Sequence, residues 1–124
     1  MNIVFVALGG AIGSVLRYLM QNLVGEWTGK DFPYGTMFVN IAGSFVMGVL
    51  IGWLARTMPD NAHNIRLFVA VGVLGGFTTF SSFSLDAVTL YEQGRFGAMS
   101  VYILASVACS LAGLFAGLQL MRTM

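Results

Sequence analysis

Four uncharged runs leave this chain few ways to fold. Met1 to Leu16 is 16 residues without a charge, and Tyr18 to Gly25 continues it after the single Arg17. Phe32 to Ala55 is 24 residues, Leu67 to Leu85 is 19 and Phe96 to Met121 is 26. A helix needs about 20 mostly apolar residues to cross a bilayer. A helix also satisfies its own backbone hydrogen bonds, which lipid cannot do for it. The runs predict an all-α integral membrane protein with four transmembrane helices, at about 3–24, 34–56, 65–90 and 97–121. A soluble all-α core is the rival. Only 9% of the 124 residues are charged, against roughly 25% in soluble domains, so too few polar residues remain to coat one.

The N-terminal run has no basic region ahead of it and outlasts the apolar core of a signal peptide, so it is the first span. No linker or low-complexity segment divides the chain, and residues 1–124 form one transmembrane domain. Lone Cys109 has no internal disulfide partner and is expected to pack as a small apolar residue in the fourth span. His63 falls in a short polar loop and is expected to be solvated.

Loop charges are nearly balanced. One side carries Arg56, Arg66 and Arg122; the other carries Lys30 and Arg95. Orientation follows the Lys/Arg bias, and three against two is almost none. Insertion both ways round, and hence an antiparallel homodimer, is accessible. Each span also carries a glycine pair four apart: Gly9–Gly13, Gly48–Gly52, Gly72–Gly76 and Gly113–Gly117. Such spacing lets backbones approach closely in lipid. It predicts a tight bundle with contacts between protomers.

Function is concentrated in Gly75 to Ser84, GGFTTFSSFS. Half of it is hydroxyl side chains inside an apolar run. Gly72, Gly75 and Gly76, followed by Thr78 and Thr79, weaken the helix. They predict a break near the middle of the third helix, where freed carbonyls can coordinate a cation. An intact helix at a glycine-lined crossing is the alternative. Beyond it, Phe80 and Phe83 share a helix face, as do Ser81 and Ser84. Aromatic rings have a negative face and a positive edge, so ring edges beside hydroxyls suit an anion. Ser106 and Ser110 add a possible donor stripe on the fourth span.

Three other polar residues interrupt the spans. Asn40 lies between Val39 and Ile41, and its amide needs a partner, either another helix or a permeating species. Arg17 lies deep in the first span and is expected to bond helix-end carbonyls, with attraction of an anion as the alternative. Asp86 follows the polar stretch, where it either lines a vestibule or is solvated. Glu26 and Asp31 are expected in a loop, so the first span holds no acid to couple protons or cationic drugs. No nucleotide loop, metal-protease motif or nucleophile triad points to an enzyme. No Lys/Arg cluster points to a nucleic acid or another large polyanion. A small anion held by neutral donors fits, because conduction needs binding loose enough for release.

The chain resembles the CrcB/Fluc family of fluoride channels over nearly its whole length. The resemblance rests on GGAIGSVLRY at Gly9–Tyr18, PYGTMFVNIAGSFVMG at Pro33–Gly48, GVLGGFTTFSSFS at Gly72–Ser84 and YILASVACS at Tyr102–Ser110. It implies a dual-topology antiparallel homodimer in the bacterial inner membrane, exporting fluoride passively through two pores. It also implies a central structural sodium ion as the only cofactor. By the same resemblance, Asn40, Phe80 and Phe83 are pore residues, and Ser81, Ser82 and Ser110 form a polar track. Tyr102 is the vestibule tyrosine, and Arg17 is the arginine of the first helix. The carbonyls of Gly75 and Thr78 would hold sodium. Ser82, Cys109 and Asp86 depart from the family's usual threonine, glycine and glutamate. A small dual-topology cation or multidrug antiporter is the alternative, and it predicts an embedded carboxylate in the first span.

Overall fold

The computed structural model describes residues 1–123, an all-helical chain with four helical stretches long and apolar enough to cross a membrane. Helix α1 (Asn2–Thr28) is 27 residues and α2 (Tyr34–Thr57) is 24. The third stretch, Ala62–Glu92, comprises α3 (Ala62–Ile65), a π-helical segment (Arg66–Leu74), α4 (Gly75–Phe77) and α5 (Phe80–Glu92). Helix α6 (Phe96–Thr123) is the last described element.

Helix ends follow local chemistry. Helix α1 outruns its apolar stretch, because nothing stops its ladder before Gly29 at φ 83°, whose N–H bonds Gly25 O at 2.9 Å. Glu26 therefore lies in the last turn of α1, not in a loop. Helix α2 begins after an inverse γ-turn, with Pro33 at φ −80°, ψ 64° and the Tyr34 N–H bonded to Phe32 O at 2.8 Å. It ends at Met58, left-handed at φ 46°, with Pro59 preventing continuation.

Helix α2 packs along α6, and α1 packs along the π segment and α4. Glycine makes both contacts possible. Gly9 and Gly13 press on the carbonyls of Phe68 and Val73, leaving no room for a Cβ. Gly48 and Gly117 abut Leu114 O and Phe45 O in the same way. The glycine pairs expected to mediate contacts between protomers are thus engaged inside one protomer. Close approach there supplies the van der Waals contact that hydrophobic burial cannot supply in lipid. Large apolar side chains such as Ile3, Leu104, Leu111 and Phe115 remain on the outside. An outward apolar surface of this extent is that of an integral membrane protein.

Polar ties sit at the two ends. Arg95 donates to the Asp31 carbonyl, joining the two loops at one end. At the other, Arg56 Nη1 donates to Met121 O at 3.3 Å, covering a carbonyl at the end of α6. That is the task expected of Arg17, which makes no hydrogen bond among the described residues and is half-buried. Cys109 is exposed on the flank of α6 rather than packed inside. His63 is exposed in α3.

Candidate functional site

Between α4 and α5 two residues leave helical geometry. Thr78 lies at φ −84°, ψ 157° and Thr79 at φ −152°, ψ 117°, both extended. Extended backbone inside an apolar bundle must have its polar groups satisfied. Asn40 does this for Thr79. Its Nδ2 donates to Thr79 O at 3.0 Å and its Oδ1 accepts from Thr79 N at 2.7 Å. The Thr79 side chain then caps α5, its Oγ1 accepting from Ser82 N at 3.1 Å and lying 3.2 Å from Ser81 Oγ.

These bonds redirect two donors. In an uninterrupted helix the N–H of Thr79 would bond Gly75 O, and that of Ser82 would bond Thr78 O. Here the first goes to Asn40 and the second to Thr79 Oγ1. The carbonyls of Gly75 and Thr78 are among those that lose their helical donors at the interruption, with those of Gly76 and Phe77. Gly75 is exposed on the protomer and Thr78 half-buried.

Beside the interruption lies a cavity of about 350 Å³. Asn40 and Ser44 reach it from α2, Phe80 and Phe83 from α5, and Ser106 and Ser110 from α6. Phe80 and Phe83 have ring centroids 5.6 Å apart, as their shared face predicts. Phe80 is 78% exposed on the protomer surface. Ser106 is only 4% exposed, and its hydroxyl has no hydrogen-bond partner among the described residues. Leaving a buried polar group unmade costs roughly 1–3 kcal/mol. Its position in a cavity wall offers that hydroxyl to whatever enters.

Tyr102 occupies a different place. It is 0% exposed and lines neither this cavity nor a second one of about 410 Å³ beside the loop that joins α1 and α2. Its ring lies 5.3 Å from that of Phe83 and 5.6 Å, edge-on, from that of Phe32. Phe83 lines the deep cavity and Phe32 the outer one, so Tyr102 stands between the two. Its hydroxyl donates to Asp86 Oδ2 at 3.2 Å, and Asp86 lines the outer cavity. Gln21 and Thr36 also line it, joined by a 3.1 Å bond from Gln21 Nε2 to Thr36 Oγ1.

Of the residues singled out in the sequence, Asn40, Thr78, Thr79, Phe80, Phe83, Ser106 and Ser110 line the deep cavity. Ser81 is at its edge through Thr79, and Ser82 contributes its backbone N–H. Gly75 and Arg17 do not line either cavity. Sequence reading missed Thr36 and Ser44, and it named Thr79 for the break but not for the cap it places on α5. A signal existed, because Thr36, Asn40 and Ser44 recur at intervals of four, as do Tyr102, Ser106 and Ser110. Residues four apart share a helix face, so two polar lines were written on α2 and α6.

Residues 4–118 match the family described as CrcB-like protein, Camphor Resistance (CrcB). The chain belongs to this family. Several CrcB relatives are similar over almost their full length. A protein from Agrobacterium fabrum (strain C58 / ATCC 33970) named fluoride-specific ion channel FluC is 54% identical over 127 residues, covering 99% of this chain and 98% of that one. Proteins of the same name from Rhodospirillum centenum (strain ATCC 51521 / SW) and Rhodopseudomonas palustris (strain BisB5) are 53% and 48% identical. The first match covers 98% of this chain and 95% of the relative, the second 98% of each. Together with the four apolar helices, CrcB membership makes this a multi-pass membrane protein.

Proposed function

We propose that this chain is a fluoride-selective passive channel. The observation that carries the reading is the unpartnered Ser106 hydroxyl, buried in a cavity whose other walls are an amide, hydroxyls and two aromatic rings. The site offers neutral hydrogen-bond donors and ring edges rather than a fixed cationic trap. Such a site replaces part of the water shell of a small anion while holding it weakly enough for release. The N-terminus of α5 abuts the cavity and adds its dipole, positive end towards it. The names of the FluC relatives supply the identity of the anion.

Neutral hydrogen fluoride crosses membranes and dissociates in a near-neutral cytoplasm, where the anion is trapped. An anion leaving a negative-inside cell gains about 2.3 kcal/mol per 100 mV. A selective passage through the bacterial inner membrane is therefore sufficient for export. The working form is an antiparallel homodimer of dual topology with two pores. Near-balanced loop charges favour both orientations, and exposed Phe80, Ser81 and Gly75 give a partner protomer a polar and aromatic face to complete.

A structural sodium ion at the dimer centre fits the donor set. The carbonyls of Gly75 and Thr78 have lost their helical donors to Asn40 and Thr79, and unwound carbonyls of this kind suit a hard monovalent cation. The ion would offset the negative ends of these carbonyl dipoles. Arg17, unpaired on α1, adds positive potential for an approaching anion. A proton- or cation-coupled antiporter is disfavoured, because the single acid of α1 is Glu26, in its last turn.

Expression in a bacterium stripped of its own fluoride export tests the physiological claim. Restored growth in fluoride medium is expected; unchanged sensitivity with protein present in the membrane contradicts it.

A further inference from the structure

The turn from α2 into the third span leaves a cavity that the ion pathway does not use. Met58 is left-handed at φ 46° and Pro59 cannot continue the ladder, so α2 stops and the chain turns into α3. Between them lies a cavity of about 580 Å³. Ile51, Leu54, Ala55 and Met58 give it an apolar wall, and His63 of α3 and Arg66 of the π-helical segment give it a basic one. It shares no lining residue with the deep or the outer cavity. We propose that this cavity seats one anionic phospholipid per protomer, its phosphate on Arg66 and His63 and the start of an acyl chain on the apolar wall. The site is separate from the anion pathway and requires only that the chain span a membrane.

The basic wall is uncommitted. His63 and Arg66 are exposed, and neither side chain makes a hydrogen bond among the described residues. Arg56, the other cation beside this turn, is occupied with Met121 O. Asp60, the acid of the turn, does not line the cavity. A guanidinium presents five N–H donors in a planar fork that matches phosphate, and an imidazole adds another N–H. Side-chain charge is also unequal between the two ends of the bundle. Here Arg56, Arg66 and Arg122 are met by Asp60 alone, whereas at the other end Lys30 and Arg95 are met by Glu26, Asp31 and Glu92. A net-negative headgroup is therefore drawn to this end. A zwitterionic one brings its own cation and gains less.

Depth and apolar surface decide which phosphate fits. Arg56 closes the uncharged run of the second span and Arg66 opens that of the third, with Leu67 next in the chain. Both arginines therefore lie where the apolar spans give way to water, the level of lipid headgroups. Basic pockets between spans at this level are of the kind that holds anionic headgroups. The wall beside Arg66 is apolar, and Ala55 and Met58 in it are exposed on the protomer. A free phosphate gains nothing from such a wall. A phospholipid covers it with hydrocarbon while its phosphate meets the two donors, so both walls are used by one molecule.

The test titrates dioleoyl phosphatidylglycerol into the detergent-purified full chain and counts bound lipid by native mass spectrometry. Dioleoyl phosphatidylcholine and inorganic phosphate are parallel probes. Wild type should hold one phosphatidylglycerol per protomer and bind phosphatidylcholine more weakly. Arg66→Gln should weaken phosphatidylglycerol binding about fivefold, the worth of one basic residue at a membrane surface. His63→Ala should weaken it in the same direction but less. Ala55→Phe fills the apolar wall without changing charge and should weaken it as well. Lys30→Gln, at the opposite end, should not. Arg66 and His63 are exposed, so their variants should keep the helical circular dichroism of wild type. Unchanged binding in His63→Ala and Ala55→Phe would overturn the proposal even if Arg66→Gln did not fold. So would equal affinity for the two lipids, a loss in Lys30→Gln as large as in Arg66→Gln, or inorganic phosphate bound as tightly as phosphatidylglycerol. None of these readouts contains fluoride, so they stand apart from the channel reading.

Discussion

The Asn40 side chain holds both backbone polar groups of Thr79, donating to its carbonyl at 3.0 Å and accepting from its N–H at 2.7 Å. One amide thereby substitutes for the helix ladder at the point where the third span is extended. It also explains why an amide is used at this position. No carboxylate could donate to the carbonyl, and no amine could accept from the N–H.

Asn40→Ala should leave both groups of Thr79 unpaired in an apolar setting. A loss of stability of about 1–3 kcal/mol for each unmade bond is expected. Asn40→Asp keeps the acceptor, loses the donor and places a charge beside the Thr79 carbonyl, so it should lower both melting temperature and fluoride flux. Thermal unfolding in detergent, followed by loss of helical circular dichroism, checks the first. A wild-type melting temperature for Asn40→Ala would show that the amide does not hold the interruption in place.

Glycines that separate backbones should be intolerant, and glycines facing open space should not. Gly13→Ala and Gly48→Ala place a methyl group against Val73 O and Leu114 O. Overpacking of this kind costs typically about 1–3 kcal/mol. A Cβ at Gly10 or Gly97 would meet nothing within 4 Å, so Gly→Ala there should be neutral or stabilise by up to about 1 kcal/mol. Melting temperatures of the four variants decide the matter, and equal behaviour of the two pairs would contradict the packing described.

Much of this was legible in the sequence. Uncharged runs located four helices because lipid imposes one length and one hydrogen-bonding solution. The ends were less legible. Glu26 reads as loop by charge, yet helix α1 holds it because the ladder persists until Gly29 takes a positive φ. The glycine pairs revealed close approach but not to what, since spacing alone does not distinguish a neighbouring span from a second protomer. Asn40 announced a need for a partner, but its partner is a backbone group 39 residues away, and only the fold brings them together. Tyr102 was singled out by resemblance alone. Its place between two cavities depends on the rings of Phe32 and Phe83, which periodicity does not align.

Ser106 should separate stability from function. Its hydroxyl is buried without a partner, so Ser106→Ala removes an unmet group and should raise stability by about 1 kcal/mol. The same change deletes a donor from the cavity and should reduce fluoride flux. A variant that melts lower and conducts as wild type would contradict both halves.

Phe80 is largely exposed on the protomer, so Phe80→Ile should barely change protomer folding. If its ring edge forms part of the anion path, flux should fall while the dimer elutes unchanged from a sizing column. Phe83→Ile should also lower flux, and because Phe83 packs on Tyr102 it should lower the melting temperature as well. Unchanged flux in both would remove the rings from the pathway.

Replacing sodium by a large organic cation during purification should weaken the dimer or abolish flux, if the Gly75 and Thr78 carbonyls hold a cation. Sizing chromatography and flux in the exchanged protein check this. Indifference of both to the cation would exclude a structural ion there.

The central claim is that the cavity beside Asn40, Phe83 and Ser106 passes fluoride. Purified protein reconstituted into liposomes loaded with fluoride, and in parallel with chloride, tests it when release is followed by ion-selective electrodes. The account predicts rapid release of fluoride and chloride release no faster than from protein-free vesicles. Fluoride release at the protein-free rate, or chloride release as fast as fluoride, would contradict it.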